Sequence, residues 1–469
     1  MALRPVTAEE KVCADEMLAK ACTAMKQIEH YDQARVDRLC QAVAWAVANE
    51  KTFTRLAYMG VEESGLGDPA SRVSKRFKVM GILRDVLRQK SVGVIEELPE
   101  KGIAKYAKSV GVVASIIPTT NPDLTPPGVG MFVLKCRDAV IFSPHPRSKK
   151  TTFETVRIMR EALRREGAPP DVFQCIDNPS IPLSQYLMSV CDLVQATGGK
   201  DMVKAAYSSG TPSYGVGAGN STMVIDETAN IEEAARNTRI SKTSDYGSGC
   251  SADGNLVIEA SIYGQLRDQL IKEGGNLATP AEKKKLGAVL WDAGGHRTSD
   301  TVAISAQRIA QRAGFEIPAD RKFIMVEEEH IGKEYLFSSE KLAVVLSLFK
   351  YGGFENALKT VEQIYNVAGK GHSCSIYSFD DDHIHQLALV APVSRIMVRQ
   401  PQSKANAGAF NNGMPMTSSL GCGTWGGNIT SENVHLKHYM NVTWVSRPIP
   451  EDRPSDKELF GEFYGTETF

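Results

Sequence analysis

The sequence predicts an α/β protein with two domains built on parallel sheets. Two observations carry this: short Val- and Ile-rich runs alternate with helix-forming stretches from about residue 111 onward, and the same alternation restarts after Ile231. Length agrees, since 469 residues exceed one ordinary compact core and call for two or three. Lys plus Arg number 54 and Asp plus Glu 55, so the one-sided field on which nucleic-acid or acidic-membrane binding depends is missing, and neither partner is expected. Nine cysteines without a C-x-x-C pair fit a reducing compartment better than a disulfide scaffold or a structural zinc site, so a cytoplasmic location is expected. No secretory signal pattern and no stretch of eighteen apolar residues is visible.

The chain opens on helices: Thr7 to about Lys51, and Thr54 to roughly Lys90, are dominated by Ala, Leu, Met, Lys and Glu with apolar residues at helical spacing. Cys13, Cys22 and Cys40 fall inside this region and are expected only to pack. Val92–Ile95, a turn near Pro99–Gly102 and a strand leading to Val110–Ile117 read as a β-hairpin entering a buried strand. Ala139–Phe142, Val172–Ile176, Leu193–Ala196 and Thr222–Ile225 read as strands of the first sheet, with helices at Thr151–Glu166, at Leu183–Val190 and from Lys200. Strands of the second are expected at Leu256–Ile258, Phe323–Val326, Ala343–Phe349, Ser375–Ser378 and Arg395–Val398. His438–Val445 is β-branched and aromatic, which suits a strand pairing outside the main cores.

Among the motifs, Cys250 in Gly247-Ser248-Gly249-Cys250-Ser251-Ala252-Asp253-Gly254 is the first candidate nucleophile, because glycine and serine leave it open to a substrate and to backbone N–H donors. Cys422, in Gly421-Cys422-Gly423-Thr424-Trp425-Gly426-Gly427, is a rival, and its glycines equally suit a tight turn around Trp425. In Pro118-Thr119-Thr120-Asn121-Pro122, at the carboxyl end of a strand, Asn121 either aims its amide at a developing oxyanion or forms an Asn-Pro turn. Ser143-Pro144-His145-Pro146-Arg147-Ser148 is either a nucleotide subsite or a solvated basic turn. Thr197-Gly198-Gly199-Lys200 lets a pyrophosphate approach a helix start but is no P-loop, and Gly215–Asn220 does not match G-x-G-x-x-G. Asp380-Asp381-Asp382-His383-Ile384-His385 reads as a helix cap rather than a metal site.

In this order, and over almost the whole chain, these motifs together with Lys242–Cys250 and Gly423–Asn428 resemble the aldehyde dehydrogenase superfamily, in particular its CoA-acylating branch. The resemblance implies two Rossmann-type α/β domains and a small β oligomerisation element. Residues 1–91 and 111–228 would form the nicotinamide-binding domain, 229–428 the catalytic domain, and 92–110 with 429–469 the oligomerisation hairpin and tail of a homodimer or homotetramer. It places Cys250 as nucleophile, which demotes Cys422, and Asn121 as the oxyanion donor, with His372 near the active site. Thr119, Ser143, His145, Pro146, Arg147, Thr197, Gly198 and Gly217 would line the cofactor site, and Glu340 would hold the nicotinamide ribose.

Where hydrolytic members carry a general-base glutamate, this chain has Val216, so the resemblance implies that coenzyme A rather than water discharges the thioester. Hydrolytic members that prefer NAD place a glutamate near Ser148; here Ser148 with Arg147, Lys149 and Lys150 admits a 2′-phosphate, so NADP is slightly preferred over NAD. The region Trp425–Pro448 resembles acylating sulfoacetaldehyde dehydrogenases, which implies sulfoacetaldehyde as the small-aldehyde substrate, with acetaldehyde, propionaldehyde or succinate semialdehyde as alternatives. A hydrolytic dehydrogenase using His372 as base, and a nucleotide-binding homologue without chemistry, are the competing readings. No amphipathic targeting peptide precedes the first helical pattern, in keeping with a free cytoplasmic enzyme.

Overall fold

The structure, a computed structural model, describes residues 4–466. The opening helical region divides into five helices, and the divisions have local causes. Thr7, Asp32 and Asn49 each accept a backbone N–H at the starts of Ala8–Ile28, Gln33–Ala48 and Glu50–Ser64. Gly65, at φ 69°, closes the third in the left-handed region. The first helix buries only the stripe Ala14, Ala21, Ala24 and Ile28. Cys13 and Cys22 fall outside that stripe and are exposed, contrary to expectation, while Cys40 is buried.

Fifteen strands form three sheets among the described residues. β1 (Val94–Leu98), β2 (Ile103–Ser109), β3 (Val112–Ile116), β4 (Ala139–Ser143), β5 (Phe173–Cys175), β6 (Leu193–Thr197), β7 (Ser213–Val216) and β8 (Thr222–Ile225) come first. β9 (Asn255–Glu259), β10 (Gly275–Leu277), β11 (Phe323–Glu327), β12 (Val345–Tyr351), β13 (Cys374–Tyr377), β14 (Ile396–Val398) and β15 (Met440–Ser446) follow. β5-β4-β3-β6-β7 form a five-stranded parallel sheet. β10-β11-β12-β9-β8-β13-β14 form a seven-stranded parallel one. The early hairpin β1-β2 takes β15 as its third, antiparallel strand, with Met440 opposite Ser109 and Ser446 opposite Ile103.

Two sequence expectations differ from this arrangement. Thr222–Ile225, read as part of the first sheet, pairs with β9 and β13 in the second, so the sheets change over at residues 217–221 rather than at 228. An apolar strand looks the same in either sheet, and only its hydrogen-bond partners separate the two. The segment after β14 also returns to the first unit: Met416, Val434, Leu436 and Tyr439 join its core, and Tyr439 stacks on Phe132 with ring centroids 5.5 Å apart. A helix unmarked in the sequence, Thr125–Cys136, is buried on every side and so lacks the polar stripe that signals a surface helix.

Residues from both parallel-sheet units line one cleft. The carboxyl ends of β3, β4, β6 and β7 deliver Pro118–Asn121, Ser143–Pro146, Thr197–Gly199 and Val216–Ala218 to one wall of a cleft. The loops leading into β9 and β13 deliver Cys250 and His372 to the other. The β3 end is a switch point, since β4 lies on one side of β3 and β6 on the other, and such a point leaves a crevice for a ligand.

Candidate active site

The cleft holds about 930 Å3 and contains Cys250, Asn121, His372, Glu340 and Val216 together. Cys250 follows three successive left-handed residues, Asp245 (φ 49°), Tyr246 (φ 50°) and Gly247 (φ 70°). Two of them are not glycine, at a cost of roughly 1–2 kcal/mol each, so the turn survives only because its surroundings dictate it. Asp245 supplies that constraint. Its Oδ2 accepts from Lys75 Nζ (2.7 Å), Arg72 Nη2 (3.1 Å) and Ser248 Oγ (2.9 Å), and its Oδ1 from the Asp68 N–H (2.8 Å). Burial by itself would raise the Asp245 pKa, but Lys75 and Arg72 outweigh it and hold the carboxyl below its usual range.

The thiol has one close partner, His372 Nε2 at 3.1 Å from Cys250 Sγ. His372 Nδ1 lies 2.8 Å from Ser373 Oγ, which accepts from the Gln402 and Asn406 side-chain amides, each at 3.1 Å. With its lone pairs taken, Ser373 turns its own proton to Nδ1, so His372 presents Nε2–H to the sulfur. His372 is fully buried, and burial pushes its pKa down to about 3. It is therefore a neutral ring beside the sulfur. Burial, and then Glu340, push Cys250 up to about 12, so the resting sulfur is a thiol.

Asn121 makes the turn its sequence allowed, and it also lines the cleft. Its N–H bonds the Pro118 carbonyl (3.3 Å) in a turn, while its Oδ1 accepts from Lys75 Nζ (2.8 Å). That bond fixes the amide and leaves Nδ2 uncommitted. Arg395 braces His372 from behind, its guanidinium donating to the carbonyls of His372 (2.8 Å), Gly421 (2.6 Å) and Ser431 (3.0 Å).

Of the expected cofactor residues, Thr119, Ser143, His145, Pro146, Thr197, Gly198 and Gly217 line the cleft. Thr119 Oγ1 is buried without a hydrogen-bond partner, as a contact atom for an absent polar ligand would be. Ser143 Oγ is shared with Ser184 Oγ (2.7 Å), and Thr197 Oγ1 receives Gln195 Nε2 (2.8 Å). Glu340 Oε1 accepts the Gly219 N–H (3.1 Å), and burial pushes its pKa up to about 7. Arg147 stands apart: its guanidinium donates to the Ser64 carbonyl (2.9 Å) and does not reach the cleft, and Ser148 is buried beneath it. Both belong to the start of the following helix, where Glu63 already accepts the N–H groups of Lys150 and Thr151 (2.8 Å each).

The rival thiol, Cys422, is buried outside the cleft lining with its sulfur toward the Leu420 carbonyl (3.5 Å), and its glycines make a tight turn with Gly423 at φ 58°. Asp380 caps the helix Asp381–Val390 as expected, accepting from the N–H groups of Asp382 and His383. His383 faces Asp226 (2.8 Å), and Glu227 completes a possible three-ligand group, while His385 is exposed. Sequence reasoning missed Asp245, Arg72, Lys75 and Ser373. A carboxylate five residues before a candidate thiol was the available signal for Asp245; nothing local marked the others.

A model described as the aldehyde dehydrogenase family matches residues 3–414. A sulfoacetaldehyde dehydrogenase of Acholeplasma sp is 45% identical over 451 residues, covering 95% of this chain and 93% of that protein. A sulfoacetaldehyde dehydrogenase (acylating) of Bilophila wadsworthia is 40% identical over 456 residues, covering 96% and 98%. The crystal structure of an acetylating aldehyde dehydrogenase from Geobacillus thermoglucosidasius is similar with a TM-score of 0.92 at 35% identity, covering 97% of this chain and 100% of that one.

Proposed function

This chain belongs to the aldehyde dehydrogenase family, and we propose that it converts a small aldehyde, coenzyme A and NAD(P)+ reversibly into an acyl-CoA and NAD(P)H, with sulfoacetaldehyde as the substrate. One observation carries the acylating assignment: Cys250 opens into a cleft where Val216 stands in the place of a water-activating carboxylate. Three carboxylates do line the cleft. Asp245 is enclosed by Arg72 and Lys75, Glu340 accepts the Gly219 N–H, and Asp201 lies on the helix after Gly199. His372 is no substitute, because burial pushes its pKa down to about 3 and its one lone pair, on Nδ1, faces Ser373. A thioester on Cys250 is thereby protected from hydrolysis and left for the thiol of coenzyme A.

The residues assign roles by position. The Cys250 thiol gives its proton to solvent in the cleft, the thiolate attacks the aldehyde carbon, Asn121 Nδ2 and the Cys250 N–H bind the resulting oxyanion, and His372 Nε2–H steadies the sulfur while its charge changes. When bound, NAD(P)+ supplies positive charge near the thiol and accepts the hydride. Thr119, Thr197, Gly198 and Gly217 hold that dinucleotide, with Glu340 on the nicotinamide ribose. At the adenosine end Ser143, Pro144, His145 and Pro146 bring no negative charge, so NADP and NAD are both accommodated, NADP slightly better; Arg147 has no part in this. The exposed strand β15, with Trp444 59% accessible, suits pairing between copies in a homodimer or homotetramer.

The test is an aldehyde panel containing sulfoacetaldehyde, assayed with and without coenzyme A. Acyl-CoA should form only with coenzyme A present; reduced dinucleotide at full rate without it, with free acid as product, would refute the acylating assignment.

A further inference from the structure

The cleft sets three lysines among three carboxylates, Asp201, Asp245 and Glu340. Lys75, Lys78 and Lys404 line it together with Asn121 and Cys250. Their hydrogen bonds separate them. Lys75 Nζ spends its three donors on the Thr120 carbonyl (2.9 Å), Asn121 Oδ1 (2.8 Å) and Asp245 Oδ2 (2.7 Å). Lys78 Nζ donates to the Ala407 carbonyl (2.9 Å), the Gly408 carbonyl and Met416 Sδ (3.6 Å). Lys404 Nζ has Ser74 Oγ alone, at 3.3 Å, and no carboxylate within ion-pair distance among the described residues. Two of its N–H groups are thus unspent in the cleft that opens to Cys250.

The surrounding charges do not cancel it. Asp245 is shared between Lys75 and the fully buried Arg72, and Asp85, the acid facing Lys78, is bound by Arg84 at 2.7 Å. Asp123 is fully buried beside Arg72 and Lys75, and burial raises its pKa. Burial and then the neighbouring Lys75 lower Lys404, while burial and then Lys404 push Lys78 down to about 7; a bound anion relieves both. Of the hydroxyls lining the same region, Ser74 and Ser403 donate to the Ser71 (2.6 Å) and Ser241 (3.0 Å) carbonyls, and Ser244 offers a further donor to an oxyacid.

We propose that Lys404, with its two unspent N–H groups, binds the acid group of an anionic aldehyde, a sulfonate or a carboxylate, while its carbonyl carbon meets Cys250. This rests on the reading of the enzyme as an acylating aldehyde dehydrogenase and names what sets its substrate class. Lys75 is a positioning residue, already committed to Asn121 and Asp245. The shared chemistry is an organic anion, and the phosphates of coenzyme A are the other source from which one could come.

Full-length wild type, Lys404→Met and Lys404→Arg are to be compared on sulfoacetaldehyde, succinate semialdehyde and propionaldehyde, with the KM for coenzyme A measured in each. Losing a charge-assisted hydrogen bond should lower the ratio of kcat/KM for anionic over neutral aldehyde by on the order of 10- to 100-fold in Lys404→Met, mainly through KM. Lys404→Arg should restore most of that ratio. An equal loss on all three aldehydes, an unchanged ratio, or a higher KM for coenzyme A at an unchanged ratio would overturn the anchor. Wild type that forms sulfoacetyl-CoA while Lys404→Met keeps its preference refutes the anchor alone. A Lys404-dependent preference for succinate semialdehyde, with no turnover of sulfoacetaldehyde, upholds the anchor and removes sulfoacetaldehyde as substrate.

Discussion

Replacing Asp245 by asparagine keeps the shape of the side chain and removes the charge on which the Cys250 turn depends. Arg72 is fully buried and takes its ion pair from Asp245 alone, through contacts of 3.1–3.3 Å from Nε and Nη2. Breaking a buried pair on one side costs about 3–5 kcal/mol. At roughly 2 °C per kcal/mol for a large domain, this is a fall of about 6–10 °C in Tm. Activity should fall further than stability accounts for, because Lys75 loses the partner that aims it at Asn121 and the left-handed turn loses its anchor; displacing the reacting group by about 1 Å costs on the order of 100-fold in kcat/KM. The pH dependence has a definite sign. Lys75 and Arg72, outweighing burial, hold the folded carboxyl below its unfolded value, so its stabilisation is complete above an unfolded pKa of about 3.9 and is lost as pH falls towards the folded one. Differential scanning fluorimetry of both proteins from pH 8 to pH 3 should show a constant gap that closes only below about pH 4. A variant melting within 2 °C of wild type, or a gap that closes between pH 6 and 8, would refute the assigned role.

Because burial pushes the Cys250 thiol up to about 12, its alkylation by iodoacetamide in the ligand-free enzyme should accelerate steadily with pH up to about 10. Peptide mapping against time measures this, and a plateau near pH 8 would show a thiolate already formed. Gly371, at φ 85°, is where a Cβ would lie 1.8 Å from the Cys422 carbonyl oxygen. Gly371→Ala should therefore lose about 3 kcal/mol or more through strain and displace His372, and a variant with wild-type Tm and kcat would contradict that packing.

Much of the architecture could be read locally. Periodicity and propensity placed most strands within a few residues, and the motifs at 118–122, 143–148, 197–199 and 250 lie in loops at the strand ends that line the cleft. Local reading failed where two environments write the same residues. Thr222–Ile225 is an apolar strand in either sheet, Thr125–Cys136 has no polar face because none of it meets solvent, and Cys13 and Cys22 differ from packed cysteines only in the side of the helix they occupy. Arg147 was illegible for a related reason: a charge near a motif was expected to face the ligand, whereas Arg147 turns to the Ser64 carbonyl.

By itself the sequence determined an α/β chain with an accessible thiol among small residues and no carboxylate at residue 216, because propensity, hydrophobic alternation and residue chemistry are local properties. Tertiary structure decided which thiol lines the cleft, which groups surround it and what charge the cleft offers. Asp245 and Cys250 are near neighbours, but Arg72, His372 and Lys404 come from distant stretches of chain, and only the fold brings them to the same place. Electrostatics and proton placement depend on that proximity and burial, which residue order does not encode locally.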